Sequence, residues 1–121
     1  MEAVQDENFV VVYHNCGNTI PLIKDILNIG SKALHFGDAI ELDKMLPLVP
    51  SNIIVMGNVS PARQFRNGTP ESITAETNTI LSKCSTYENF VLSSGCDIPP
   101  KSSFININAF FKAFRDFNKT V

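Results

Sequence analysis

The run Phe9-Val10-Val11-Val12-Tyr13-His14-Asn15-Cys16-Gly17-Asn18-Thr19 sets the architecture of this chain. Its first five residues are β-formers with apolar side chains on both faces, the pattern of a parallel strand covered on both sides. A polar turn follows. Thr19 then suits an N-cap and Pro21 the first helical turn, Leu22, Ile23, Ile26, Leu27 and Ile29 supply an inward stripe, and Gly30 suits the stop. A strand feeding a capped helix is half of a β-α-β unit.

The same alternation repeats downstream. Ala33-Leu34-His35-Phe36 predicts a second strand, and Ala39 to Leu48 a short helix ended by Pro47 and Pro50. Ile53-Ile54-Val55-Met56 predicts a third strand. Ser60-Pro61 and Thr69-Pro70 are cap-then-proline starts, for a short helical turn to about Arg66 and a longer helix from Pro70 to Lys83. Phe90-Val91-Leu92 predicts the fourth strand. A last helix, opened near Ser102 or Ser103, places Phe104, Ile107, Phe110, Phe111, Phe114 and Phe117 on one apolar face, read here as core.

Four strand-to-helix units in a row predict an α/β fold of parallel strands joined by right-handed crossovers. They amount to half of a closed (β/α)8 barrel, which normally takes roughly 250 residues. An open half exposes two strand edges and its lumen face, both liabilities in water. The expectation is therefore completion, by a missing N-terminal half or by a second copy of the chain.

Composition narrows the function classes. With 121 residues, 44% hydrophobic, 18% charged and a net charge of -2, the chain reads as one globular domain, with neither a disordered tail nor a basic nucleic-acid surface. No apolar run approaches the ~20 residues of a membrane span, and the acidic start is unlike a signal peptide. A cytoplasmic location is expected. The three cysteines then read as thiols or metal ligands rather than disulfides.

The polar residues gather at strand ends. His14 and Cys16 follow the first strand, Asp38 the second, Asn58 the third and Cys96 the fourth. In a barrel those carboxyl ends build the active site, so distant residues converge there. His14 and Cys16, two apart, project to one side. With Cys96 they make three N/S ligands, the set zinc adopts when a fourth position stays vacant for chemistry. Asp38 has two compatible readings, a resting fourth ligand or the N-cap of the helix beginning near Ala39. Asn58 either orients a substrate or ties the turn before Ser60-Pro61. Cys84 stands outside every motif and reads as a small packed residue. His35 alternates into an apolar strand with a structural partner. Arg63 and Arg66 either meet an anion or form a solvated face.

Two motifs resemble a known family. Met56-Gly57-Asn58-Val59-Ser60-Pro61 resembles the Gly-Asn-hydrophobic-Asp-Pro element of the uroporphyrinogen decarboxylase superfamily, and Ser94-Gly95-Cys96-Asp97-Ile98-Pro99-Pro100 its last strand-loop. The match runs from Val10 to Phe117 and corresponds to the C-terminal part of a much longer (β/α)8 family. The resemblance implies that residues 1–121 form one partial domain, a half barrel. True decarboxylases of the superfamily are metal-free and carry His-Gly where this chain has Gly95-Cys96. His14-x-Cys16-Gly17-Asn18-Thr19 with Cys96 is instead similar to the zinc-dependent branch that moves methyl groups between a corrinoid protein and a thiol such as coenzyme M. That branch implies zinc on His14, Cys16 and Cys96, roles in the chemistry for Asp38 and Asn58, a corrinoid carried by a partner protein, and a small thiol or folate acceptor. A thiol with a pKa of about 8.5 is mostly protonated at neutral pH, and coordination to zinc removes that obstacle. The alternatives are uroporphyrinogen decarboxylase-type activity in tetrapyrrole biosynthesis and a non-catalytic fragment that dimerises.

Overall fold

The computed structural model describes residues 3–119. Its four strands are β1 (Val12–Asn15), β2 (Ala33–Phe36), β3 (Ile54–Val59) and β4 (Phe90–Ser94), and its four helices are α1 (Ile23–Ile29), α2 (Leu42–Met45), α3 (Pro70–Cys84) and α4 (Phe104–Lys119). The strands pair in sequence order, β1-β2-β3-β4, and every pair is parallel. Strand-helix alternation with neighbouring parallel strands is the arrangement of a partial TIM barrel.

Register explains how one face becomes core. Tyr13, Leu34, Val55 and Phe90 lie side by side across the four strands. All four belong to the cluster formed with Ile23, Ile26, Leu42, Met45 and Leu46 from the helical layer. A second cluster joins Val59 of β3 to Phe65, Ile73 of α3 and Phe110 of α4. The opposite face carries the next row, His14, His35, Met56 and Val91. No layer covers it among the described residues: Val12, Ile54 and Val91 are 50%, 41% and 43% exposed. Edges β1 and β4 are also unpaired there.

Several element boundaries differ from expectation. The first strand lies at Val12–Asn15, and Phe9 and Val10 are exposed, because an edge strand facing an open lumen has cover on one side only. Helix α1 is preceded by a 3-10 turn at Ile20–Leu22, so Thr19 caps no α-helical amide, and its hydroxyl is buried without a hydrogen-bond partner. Gly30 ends α1 with φ 88°, as expected of a glycine stop. Helix α2 begins at Leu42 behind Glu41 and passes into a 3-10 turn at Leu46–Leu48; Asp38 caps no helix. β3 runs on through Gly57 and Asn58. At Gly57 φ is 148° and an added Cβ would sit 2.8 Å from the Phe36 carbonyl oxygen, so only glycine lets β3 approach β2 there.

The later elements follow their start signals. Ser60 accepts from the Arg63 amide at 3.3 Å and opens a wide π turn at Pro61–Arg66. Thr69 and Ser72 form a reciprocal capping box at the start of α3, with bonds of 3.1 and 2.9 Å. The aromatic face of α4 is only partly core. Phe110 and Ala113 are buried with Asn106, whereas Phe104, Phe111 and Phe114 are 82%, 50% and 39% exposed. The helix packs on α3, and from the stripe Phe110 enters the cluster with Val59, Phe65 and Ile73. No helix of the described residues is long and apolar enough to cross a membrane.

Candidate metal centre

His14 is the third residue of β1 and Cys16 follows the strand by one, so both side chains leave the open face. Cys96 enters from the loop after β4. That loop is held close: the Gly95 amide donates to the Val59 carbonyl at 2.8 Å and the Ser94 hydroxyl to the Cys96 carbonyl at 2.7 Å. His14 Nε2 lies 3.1 Å from Cys16 Sγ and 3.7 Å from Cys96 Sγ, and all three atoms fall within 4.8 Å of one another.

These spacings fit a metal. Tetrahedral zinc, with Zn–N of roughly 2.0 Å and Zn–S of roughly 2.3 Å, sets its ligand atoms about 3.5–3.8 Å apart. The tautomer fits as well. His14 Nδ1 lies 3.1 Å from the His35 carbonyl oxygen, which accepts only, so the proton sits on Nδ1 and the Nε2 lone pair faces the sulfurs. Without a cation the thiolate form of Cys16 is disfavoured: its thiol is raised above its ordinary range, by desolvation first, then by the Cys96 sulfur and the Asp38 carboxylate. A divalent ion reverses that balance. His14 and Cys16 are exposed and Cys96 is half-buried, and a cleft of about 300 Å³ lined by His14, His35, Cys96 and Asp97 opens beside them.

Asp38 and Asn58 are not among the three clustered side chains, though the Asp38 carboxylate is near enough to act on the Cys16 thiol. Asp38 reaches toward Arg63 at 3.7 Å, and Arg63 also meets Glu76 at 3.5 Å. Asn58 is buried and its Nδ2 donates to the carbonyls of Gly37, 3.1 Å, and Ile40, 2.7 Å. It therefore clamps the loop that carries Asp38. Both residues, with Arg63 and Glu76, line a separate cavity of about 250 Å³ against α2 and α3. Cys84 is 1% exposed, and burial pushes its thiol up to about 11, so it is an inert packed residue. Arg66 is exposed.

Residues passed over in the sequence complete the centre. Gly37 backs Cys16: an added Cβ would lie 3.3 Å from its Sγ. Gly95 lets the Cys96 loop settle on Asp38, whose amide would lie 3.0 Å from an added Cβ. His35 does have its structural partner, since its Nε2 donates to the Ser94 carbonyl at 2.7 Å. A signal was available. His35-Phe36-Gly37 occupies the same place at its strand end as His14-Asn15-Cys16, so parallel pairing sets His35 beside His14.

A parallel sheet backed by helices, with its ligand cluster at the carboxyl ends, defines a partial (β/α) barrel with a candidate metal centre. Residues 1–117 match the family model for uroporphyrinogen decarboxylase (URO-D), and the chain belongs to that family. Among solved structures it is similar to a methyltransferase from Methanosarcina mazei, with 28% sequence identity and a TM-score of 0.80 over 92% of this chain. The match covers 32% of the methanogen chain, so this chain spans about a third of that protein's length. No curated protein sequence matches it.

Proposed function

We propose that residues 1–121 are the metal-binding part of a methyltransferase barrel in the uroporphyrinogen decarboxylase family. The barrel would move a methyl group from a corrinoid held by a partner protein to a thiol or similar small acceptor. One observation carries this reading: His14 Nε2, Cys16 Sγ and Cys96 Sγ meet within 4.8 Å, and the contact of His14 Nδ1 with a carbonyl oxygen supports a ligating role for Nε2. Similarity to the methanogen methyltransferase supports it.

Zinc on these residues would supply the Lewis acidity that keeps an acceptor sulfur as its thiolate at neutral pH. The chain's own part is positioning. β1 fixes two ligands from one strand, and the bonded loop after β4 brings the third. The open side beside His14 and Cys96 leaves room for the acceptor. Asp38 is the carboxylate at hand to occupy a fourth position at rest, and Asn58 holds its loop through Gly37 and Ile40. Overall, transfer forms a carbon–sulfur bond and breaks the methyl–corrinoid bond, with the electron pair left on the corrinoid and the thiol proton released. The bare apolar row and unpaired edges support a barrel completed by further strands, from a longer chain or a second copy.

The test is elemental analysis of the purified chain and of Cys96→Ser, with mass in solution recorded alongside. About one zinc per chain, lost in the variant, is the expected result. A folded wild-type chain that takes up no zinc removes this mechanism.

A further inference from the structure

We infer that His35 is a positioning residue for this centre, holding His14 and the Cys96 loop in one geometry. The role rests on the metal-centre reading above. Its carbonyl accepts from His14 Nδ1, and its ring lies against the His14 ring with centroids 4.7 Å apart and planes inclined by 35°. On the other side its Nε2 donates to the Ser94 carbonyl at 2.7 Å and lies 3.2 Å from Ser93 Oγ. Ser94 in turn donates its hydroxyl to the Cys96 carbonyl at 2.7 Å. A continuous set of contacts thus runs from His14 through His35 to Cys96.

The topology makes this bridge informative. β3 lies between β2 and β4, so no ladder bond joins His35 to Ser94. The side chain must reach across the open face to do so. The side chains of its row neighbours, Met56 and Val91, have no N–H to offer a carbonyl. Histidine supplies a flat ring to rest on His14 and a donor at its far edge. The two ligand-bearing segments are distant in sequence, and the bridge limits how far apart they drift before metal arrives.

Substitution of the side chain isolates the role, because the main-chain bond to His14 Nδ1 survives any residue at position 35. In the metal-free chain, dibromobimane bridges two thiols only when they are close, which reads the Cys16–Cys96 geometry without zinc. His35→Ala is expected to slow bridging about tenfold or more while single-thiol alkylation stays at the wild-type rate. His35→Gln, which keeps a donor for Ser94, should restore most of it. Zinc affinity, from competition with a chromophoric chelator, should fall by about 10–100-fold in His35→Ala. Bridging at the wild-type rate in His35→Ala overturns the inference. So does equal slowing in Ala and Gln variants with equal loss of thermal stability, which marks a packing role, and so does a wild-type chain that does not bridge. A wild-type chain that bridges with the expected His35 dependence but takes up no zinc supports the positioning role and sinks the metal reading separately.

Discussion

His14 Nδ1 lies 3.1 Å from the main-chain oxygen of His35, so the imidazole of one strand is aimed by the backbone of the next. The acceptor is a carbonyl, so the bond specifies both ring orientation and tautomer. It exists because parallel pairing puts the two residues in register. Strand pairing and ligand aim are therefore one feature, and disturbing the β1–β2 ladder should disturb metal uptake before it unfolds the chain.

Gly37 tests how tightly that aim is set. A methyl group there would meet Cys16 Sγ at 3.3 Å and its Cα and Cβ at 3.4 Å, so Cys16 must give way by a few tenths of an ångström. Gly37→Ala should weaken zinc binding by about tenfold, at the low end of effects from residues behind metal ligands, with little change in stability. Chelator competition and thermal unfolding of the metal-free chain check both halves. Unchanged affinity would show that the strand end is soft.

Asp38 and Asn58 should separate by readout. Asn58→Ala removes the buried donor to two carbonyls and is expected to cost about 1–3 kcal/mol in urea unfolding. Asp38→Ala removes an exposed ion pair with Arg63 and a carboxylate that acts on the Cys16 thiol, and should change stability by less than about 1 kcal/mol. On the proposed reading it nevertheless weakens zinc binding, by less than Cys96→Ser does. Equal zinc affinity in Asp38→Ala and wild type would leave Asp38 as a partner of Arg63 alone.

The meeting of the three candidate ligands was legible in the sequence for a simple reason. Strand periodicity and the barrel rule place His14, Cys16 and Cys96 at carboxyl ends, and alternation puts the first two on one side. What aligns them was only partly legible. Parallel pairing of successive strands sets His35 beside His14, but the reach of His35 to Ser94 and the packing at Gly37 and Gly95 depend on how closely backbones approach, which is not written in local pattern. Thr19 and Asp38 show the limit of cap signals: both have the right chemistry, yet the helices begin later, at Ile23 and Leu42. The α4 stripe misled because periodicity reports which residues share a face and says nothing of what covers it.

That last point is measurable. Phe110 is 6% exposed and its ring sits 5.1 Å from Phe65, whereas Phe104 on the same helix is 82% exposed. Phe110→Ala should cost about 3–5 kcal/mol, the range for emptying a packed phenylalanine site, and Phe104→Ala within about 0.5 kcal/mol. Denaturant unfolding of the two variants decides it. A large loss for Phe104→Ala in a concentration-dependent manner would mean that another copy covers the helix in solution.

Cys84 predicts an alkaline limit to stability. Its thiol is raised to about 11, chiefly by burial and then by Asp43, against an ordinary value of 9.0 in the unfolded chain. A raised pKa means the folded state holds the proton longer, so the contribution is intact below pH 9 and lost as pH climbs toward 11. Each pKa unit corresponds to about 1.4 kcal/mol, so the loss across that window is about 2–3 kcal/mol. Cys84→Ala starts from a lower stability, because it leaves a small cavity, but has no thiol to ionise. Urea unfolding of the metal-free chain at pH 8 and pH 11 should show wild type losing about 2–3 kcal/mol more than the variant. Parallel losses in the two would show the Cys84 site to be wetter than its packing indicates.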